Sequence, residues 1–262
     1  MTTTTWDTES VAVELLAREA ERRDGGRLTD EREGLDIELA YAAQDLYLAK
    51  KQDAGERLVG VKLGLTSAAK QKRMGITAPL TAWLTDAMEI APEEPLPVDS
   101  LIHPRVEPEI VFVMGKRLEG PNVTVREALA AVDRVHAGLE VIDSRYRDFS
   151  FALPDVIADN ASSARYVVSP YSVGPDELDL VLEGITLSVD GAVTATATGA
   201  AVQGHPAAAL ALAANALAER GLAIEAGQVV LTGGMTDAEF LHPGSVITAE
   251  FTTLGSISIA GV

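Results

Sequence analysis

Apolar residues recur at helical spacing near the start of the chain. Val11, Leu15, Leu16 and Ala20 share one face, with Ser10 where an N-cap would stand. Gly25 and Gly26 stop that pattern. A second stripe, Leu35, Leu39, Ala43, Leu46 and Tyr47, predicts a helix from Gly34 to Lys51. The period then shortens. Strands are expected at Leu58–Leu65, Arg105–Met114, His136–Asp143, Tyr166–Ser169 and Leu180–Val189. Four more follow at Val193–Ala197, Gln228–Leu231, Val246–Phe251 and Ser256–Ile259. Isolated helices interrupt them: a short one at Ser67–Met74, one at Thr124–Arg134, and one at Pro206–Arg220 ending at Gly221. Thr124 and Glu127 have capping-box spacing. The pattern predicts an α+β fold with a mostly antiparallel, rolled or sandwiched sheet. Residues 1–55 form an N-terminal helical region and 56–262 the β-rich remainder.

Composition narrows the function classes. At 262 residues and 47% hydrophobic, the chain buries a proper core. Its net charge of −18 argues against nucleic acid or an anionic membrane as partner. With no cysteine, disulfides, thiolate metal sites and a Cys nucleophile are excluded. No apolar run reaches the roughly 18 residues of a membrane span. Met1 to Asp7 is polar, without a basic or an apolar leader segment, so a cytoplasmic protein is expected. Dinucleotide, Walker A, nucleophile-elbow and zincin motifs are all missing. Three of the four histidines, His103, His205 and His242, lie beside or near prolines, which suits turns.

The carboxylates carry more. Alternation along Arg105–Met114 places Arg105, Glu107 and Glu109 on one face, the two acids about 7 Å apart. Pro108 between them has no N–H, which suggests an edge position or a bulge. Glu140 interrupts the apolar run Ala137–Ile142, where a lone carboxylate is costly unless paired or metal-bound. Two readings stand. Three glutamates on neighbouring strands form an all-oxygen site for Mg²⁺, or second Mn²⁺; or Glu107 and Glu109 are solvated and Glu140 meets an arginine. Lys62 shares a face with Gly60 and Gly64. That leaves space for an anionic substrate, or Lys62 snorkels to the surface. Gly233 and Gly234, in Leu231–Thr236, either offer backbone N–H groups to a carboxylate or make an ordinary turn.

Five segments together resemble the hydratase/decarboxylase family of meta-cleavage pathways, within the fumarylacetoacetate-hydrolase-like superfamily. They are Gly60–Ser67 (GVKLGLTS), His103–Ile110 (HPRVEPEI), Glu140–Tyr146 (EVIDSRY), Ile157–Ser163 (IADNASS) and Leu231–Thr236 (LTGGMT). The likeness spans nearly the whole chain. Glu140–Tyr146 with Phe149 and Phe151 is closer to the decarboxylase branch than to the hydratase branch.

The resemblance implies a mixed β roll behind N-terminal helices, with 56–262 as the catalytic domain. It implies Glu107, Glu109 and Glu140 as metal ligands and Lys62 as a base or electrostatic anchor. Ser162 or Ser163 lines the site, with Asp86 a weaker candidate. The implied activity is metal-dependent loss of CO₂ from 2-oxo-3-hexenedioate, a 2-keto dicarboxylate. Phe149 and Phe151 would border the far end of the substrate, which a decarboxylase must accept without a strong ion pair. Arg145 and Arg147 would steer the dianion inward. The alternatives are hydration of 2-hydroxypenta-2,4-dienoate and a non-catalytic scaffold for the hydratase. Family precedent implies a homo-oligomer, often in complex with the pathway hydratase.

Overall fold

In the computed structural model, residues 5–67, 71–72, 75–76 and 78–262 are described. Asp7, not Ser10, caps the first helix, α1 (Thr8–Glu21): its carboxylate accepts the Ser10 N–H at 2.8 Å. A short helix α2 (Leu28–Glu31), which carries no apolar period, precedes α3 (Ile37–Asp53). Asp36 caps α3, accepting the Leu39 N–H at 2.8 Å. Val11, Leu15, Leu28, Ala40 and Ala43 of these helices form one cluster with Tyr146, Val156 and Ile157 from much later in the chain. Of the expected Ser67–Met74 helix, Gln71 and Lys72 are helical. Ala68, Ala69, Lys70, Arg73 and Met74 lie outside the described residues.

The strands are β1 (Leu58–Gly64), β2 (Leu80–Thr85), β3 (Arg105–Met114), β4 (Val132–Ile142), β5 (Ser163–Val173), β6 (Gly184–Val189), β7 (Ala192–Thr198), β8 (Val229–Leu231), β9 (Glu239–Phe240), β10 (Val246–Phe251) and β11 (Gly255–Ala260). Among them sit α4 (Val125–Ala131), α5 (Leu153–Ala158) and α6 (Pro206–Ala218). The main sheet runs β2-β1-β8-β3-β4-β5, with β9 also on β3. Among the strands of this sheet in the described residues, β1 and β8 alone pair in parallel. The second sheet is β11-β10-β6-β7. The fold is therefore α+β and mostly antiparallel, as the pattern predicts. The capping box of Thr124 and Glu127 also forms. No described helix is long and apolar enough to cross a membrane.

The main sheet curls. Just beyond β2, Ile90 donates its N–H to Tyr166 O of β5 at 2.9 Å, which brings the two ends of the strand order together. On the concave face Leu84, Met88, Val111, Tyr166 and Leu231 pack as a small cluster. Polar residues of that face begin one pleat along β3, at Glu109. The convex face, with Val106, Ile110 and Phe112, packs in one core with Ile247, Ala249 and Ile257 of the second sheet and with Leu210 and Ala214 of α6.

Pro108 corrects an expectation. β3 is central, not an edge strand, and Pro108 has no bulge. It lies where β8 has left β3 and β9 has not yet begun. Its carbonyl, on that side of the strand, accepts from Met235 N at 3.0 Å, so no ladder bond needs the missing N–H.

Candidate functional site

Register builds the centre. Pairing of β3 with β4 sets Glu107 opposite Glu140 and Glu109 opposite Gly138. Opposed residues share a face, so three carboxylates converge, with oxygens within 4.8 Å of one another. Glu109 and Glu140 are fully buried.

Lys62 reaches them from β1 because the sheet curls. Its Nζ lies 2.8 Å from Glu140 Oε1 and 2.8 Å from Ala161 O. At 4% exposed it does not snorkel. The flanking glycines do different tasks. A Cβ at Gly60 would overlap Val229 O, and one at Gly64 would stand 3.3 Å from Ala161 Cβ. Gly60 thus admits the neighbouring chain, whereas Gly64 lines the cavity beside Lys62.

The Leu231–Thr236 loop holds a carboxylate belonging to the protein. Gly233 N–H donates to Glu109 Oε2 at 2.7 Å, and a Cβ at Gly234 would stand 2.7 Å from Glu107 Cδ. The two serines divide. Ser163 Oγ donates to Glu140 Oε1 at 3.0 Å, whereas Ser162 lines the cavity and donates to Asp159 Oδ2 at 3.0 Å. Asn160, Ala161 and Ser162 have φ of 48°, 50° and 59°, three successive non-glycine residues in the left-handed region. Asn160 pins this turn: its Oδ1 accepts from Trp83 N at 2.8 Å and its Nδ2 donates to Trp83 O at 2.9 Å.

The donor set fits a hard dication. Burial pushes the Glu109 carboxyl well above the usual range, with Glu140 and Glu107 adding to the rise. Burial also raises Glu140, against the pull of Lys62. Glu109 Oε1 and Glu140 Oε2 are buried with no hydrogen-bond partner. Three carboxylates and one ammonium carry a formal −2, which a divalent cation with oxygen preference would neutralise.

A cavity of about 720 Å³ opens above the triad. Lys62, Glu107, Ser162 and Gly234 line it, as do Phe149 and Phe151. Two expected residues are elsewhere. Asp86 sits in the turn after β2, paired with Arg57 at 2.8 Å, and does not line the cavity. Arg145 is only 2% exposed, because the chain turns inward after β4. It pairs with Asp159 and donates to Asp143 O at 2.6 Å, so it cannot steer a ligand from outside. Arg147 is exposed and 3.4 Å from Asp24. Arg105 and Arg27 also line the cavity. Arg105 was legible from its parity with Glu107; Arg27, between α1 and α2, carries no local signal.

The fumarylacetoacetate (FAA) hydrolase C-terminal family model matches residues 59–259. A 4-oxalocrotonate decarboxylase of Pseudomonas sp is 42% identical over 252 residues, covering 94% of this chain and 97% of that protein. A 2-keto-4-pentenoate hydratase of Burkholderia vietnamiensis is 37% identical over 248 residues, covering 95% of each. The structure of 4-oxalocrotonate decarboxylase from Pseudomonas putida G7, complexed with magnesium and adipate, superposes with a TM-score of 0.95 at 36% identity, over 97% of both chains.

Proposed function

Because this chain belongs to the fumarylacetoacetate (FAA) hydrolase family, we infer that it is a magnesium-dependent 4-oxalocrotonate decarboxylase. It converts 2-oxo-3-hexenedioate to 2-hydroxypenta-2,4-dienoate and CO₂. The observation that carries this reading is the buried carboxylate triad, with two unpartnered oxygens beside Lys62, in a chain 42% identical to such an enzyme.

Glu107, Glu109 and Glu140 would hold the ion. When bound, Mg²⁺ supplies a Lewis acid for the keto-acid end of the substrate. The C5–C6 bond breaks, CO₂ leaves with C6, and the electron pair spreads through C4 and C3 onto the C2 oxygen, which takes up a proton from solvent to give the dienol. Lys62 places a fixed positive charge for that developing enolate. Glu140 and Ala161 O orient the ammonium, so it spends no reorganisation at the moment of reaction. Ser162 offers a hydroxyl to the cavity. Phe149 and Phe151 exclude water from the far end, so the dienolate is not hydrated.

Purified protein with Mg²⁺ should release CO₂ from 2-oxo-3-hexenedioate and lose that activity after exhaustive EDTA treatment. Zinc should restore it poorly, because the ligands are all carboxylates. The hydratase is the second reading, favoured by the 37% identity to a hydratase. Rapid hydration of 2-hydroxypenta-2,4-dienoate with no CO₂ from the dioate would establish it instead. A non-catalytic scaffold would have no need to keep Lys62 against the triad.

The enzyme serves meta-cleavage catabolism of aromatic compounds in the cytoplasm, as a homo-oligomer able to pair with the pathway hydratase. Exposed Leu182 and Val193, in and near the second sheet, support self-association. Sedimentation of the purified chain tests it; a monomer at working concentration would count against it.

A further inference from the structure

We propose that Arg105 recognises the second carboxylate of the substrate, at the end remote from the acidic triad. The inference rests on the decarboxylase reading and adds a specificity-determining residue to it.

Arg105 opens β3 on the face of Glu107 and Glu109, two residues before Glu107. Along a strand that is about 7 Å. An extended six-carbon dioate with its keto-acid end at the triad covers a comparable span. Arg105 also lines the cavity.

Its guanidinium is held between two rings, 4.1 Å from the Phe149 centroid and 4.2 Å from that of Phe240. Phe149 packs in turn on His103, at 4.8 Å between centroids. With both flat faces against rings, Arg105 has only its in-plane N–H groups to offer. Those groups lack partners. Its Nε is buried and unbonded, and among the described residues no oxygen accepts from its guanidinium. The two most buried arginines behave otherwise. Arg18 donates to Glu14 and to Gly26 O, each at 2.8 Å, and Arg145 is bonded to Asp159 and Asp143. Arg27 is engaged too, donating to Ser150 Oγ at 2.8 Å.

An unpaired buried donor is costly. A carboxylate in the guanidinium plane supplies two acceptors in matching fork geometry. Asp148 and Glu107 act on Arg105 through space without bonding it, so its charge is partly compensated. Recognition is then directional rather than a strong net ion pair. This meets the requirement that the departing carboxylate be accepted but not locked. That group leaves as neutral CO₂, so the contact acts mainly on the bound ground state.

Adipate and hexanoate differ only in the far carboxylate, and their binding to the Mg²⁺-loaded enzyme can be compared by calorimetry. The wild type should prefer adipate by at least about tenfold. Arg105→Met should weaken adipate by about 10- to 100-fold and hexanoate by less than about threefold. It should raise KM for 2-oxo-3-hexenedioate by the same factor while kcat holds or rises. Arg105→Lys keeps the charge without the planar fork and should lose at least about threefold of the preference. It decides the matter if the methionine variant does not fold. A wild type without preference for adipate, or folded variants that keep it, would overturn the proposal. Failure of the wild type to release CO₂ would instead overturn the decarboxylase reading, and the adipate comparison would still decide what Arg105 binds.

Discussion

Glu109 pays for its burial with a proton until a cation arrives. Its folded-state pKa lies above its unfolded value, chiefly through desolvation. Stability drawn from the protonated group is therefore full below the ordinary glutamate range. It is lost as pH rises through the raised value. Metal-free protein should melt at progressively lower temperature across that window, and saturating Mg²⁺ should reverse the trend in a thermal scan. Mg²⁺ must displace the proton, so its apparent affinity should fall as pH is lowered. Glu109→Gln should cut activity at least about 100-fold, since even groups that only support ligands are worth 10–100-fold in metal affinity. The same variant should hold its fold, as measured by circular dichroism. Lys62→Ala should lower kcat more than it raises KM; a change in KM alone would make Lys62 a ground-state anchor. Strand parity made the shared face of Glu107 and Glu109 legible, but their meeting with Glu140 and Lys62 was implied only by the family resemblance, because register and the curl of the sheet decide it. The places of Asp86 and Arg145 were not legible, because a turn and an inward bend abolish parity.

At the scale of elements, the Asn160–Ser162 turn does the most with the least chain. Each left-handed non-glycine residue costs about 1–2 kcal/mol. The turn presents Ala161 O to Lys62 and Ser162 to the cavity, and the strand after it sends Ser163 to Glu140. Asn160→Ala would leave the Trp83 N–H and C=O without partners. It should cost about 2–3 kcal/mol in denaturant unfolding. The segment Ile157–Ser163 was picked out only by the family resemblance, and nothing in its pattern announced three left-handed residues in a row. Nor was β2 visible, because all six residues are buried and the strand shows no alternation. The two-residue β9 is too short to carry a pattern. Alternating β3 and β10 were read to the residue.

For the whole molecule, the N-terminal helices are built into the same core as the site's wall. Arg18, 2% exposed, donates from α1 to Arg145 O at 3.2 Å, and Gly25 pairs with Tyr146. A Cβ at Gly25 would overlap the Arg18 guanidinium. Gly25, expected only to stop a helix, is there for that close approach. Gly25→Ala should therefore lower the melting temperature, although it adds a better helix former. Long-range packing of this kind leaves no local trace, which is why the helices but not their docking could be read from sequence.

β1 and β3 are not neighbours in the sheet; the three residues of β8 stand between them. During translation the chain emerges from its N-terminus, so β1 to β5 are all made long before Val229. Until then the strand that carries Lys62 and the strand that carries Glu107 and Glu109 are tied only the long way round, through β2, the Ile90–Tyr166 bond, β5 and β4. Gly233, which steadies Glu109, follows β8 by two residues. The nascent chain thus holds its ammonium and its acids in a ring of strands that is not yet closed. The ring closes only with the last eighth of synthesis, which brings both β8 and the Gly233 N–H that steadies Glu109.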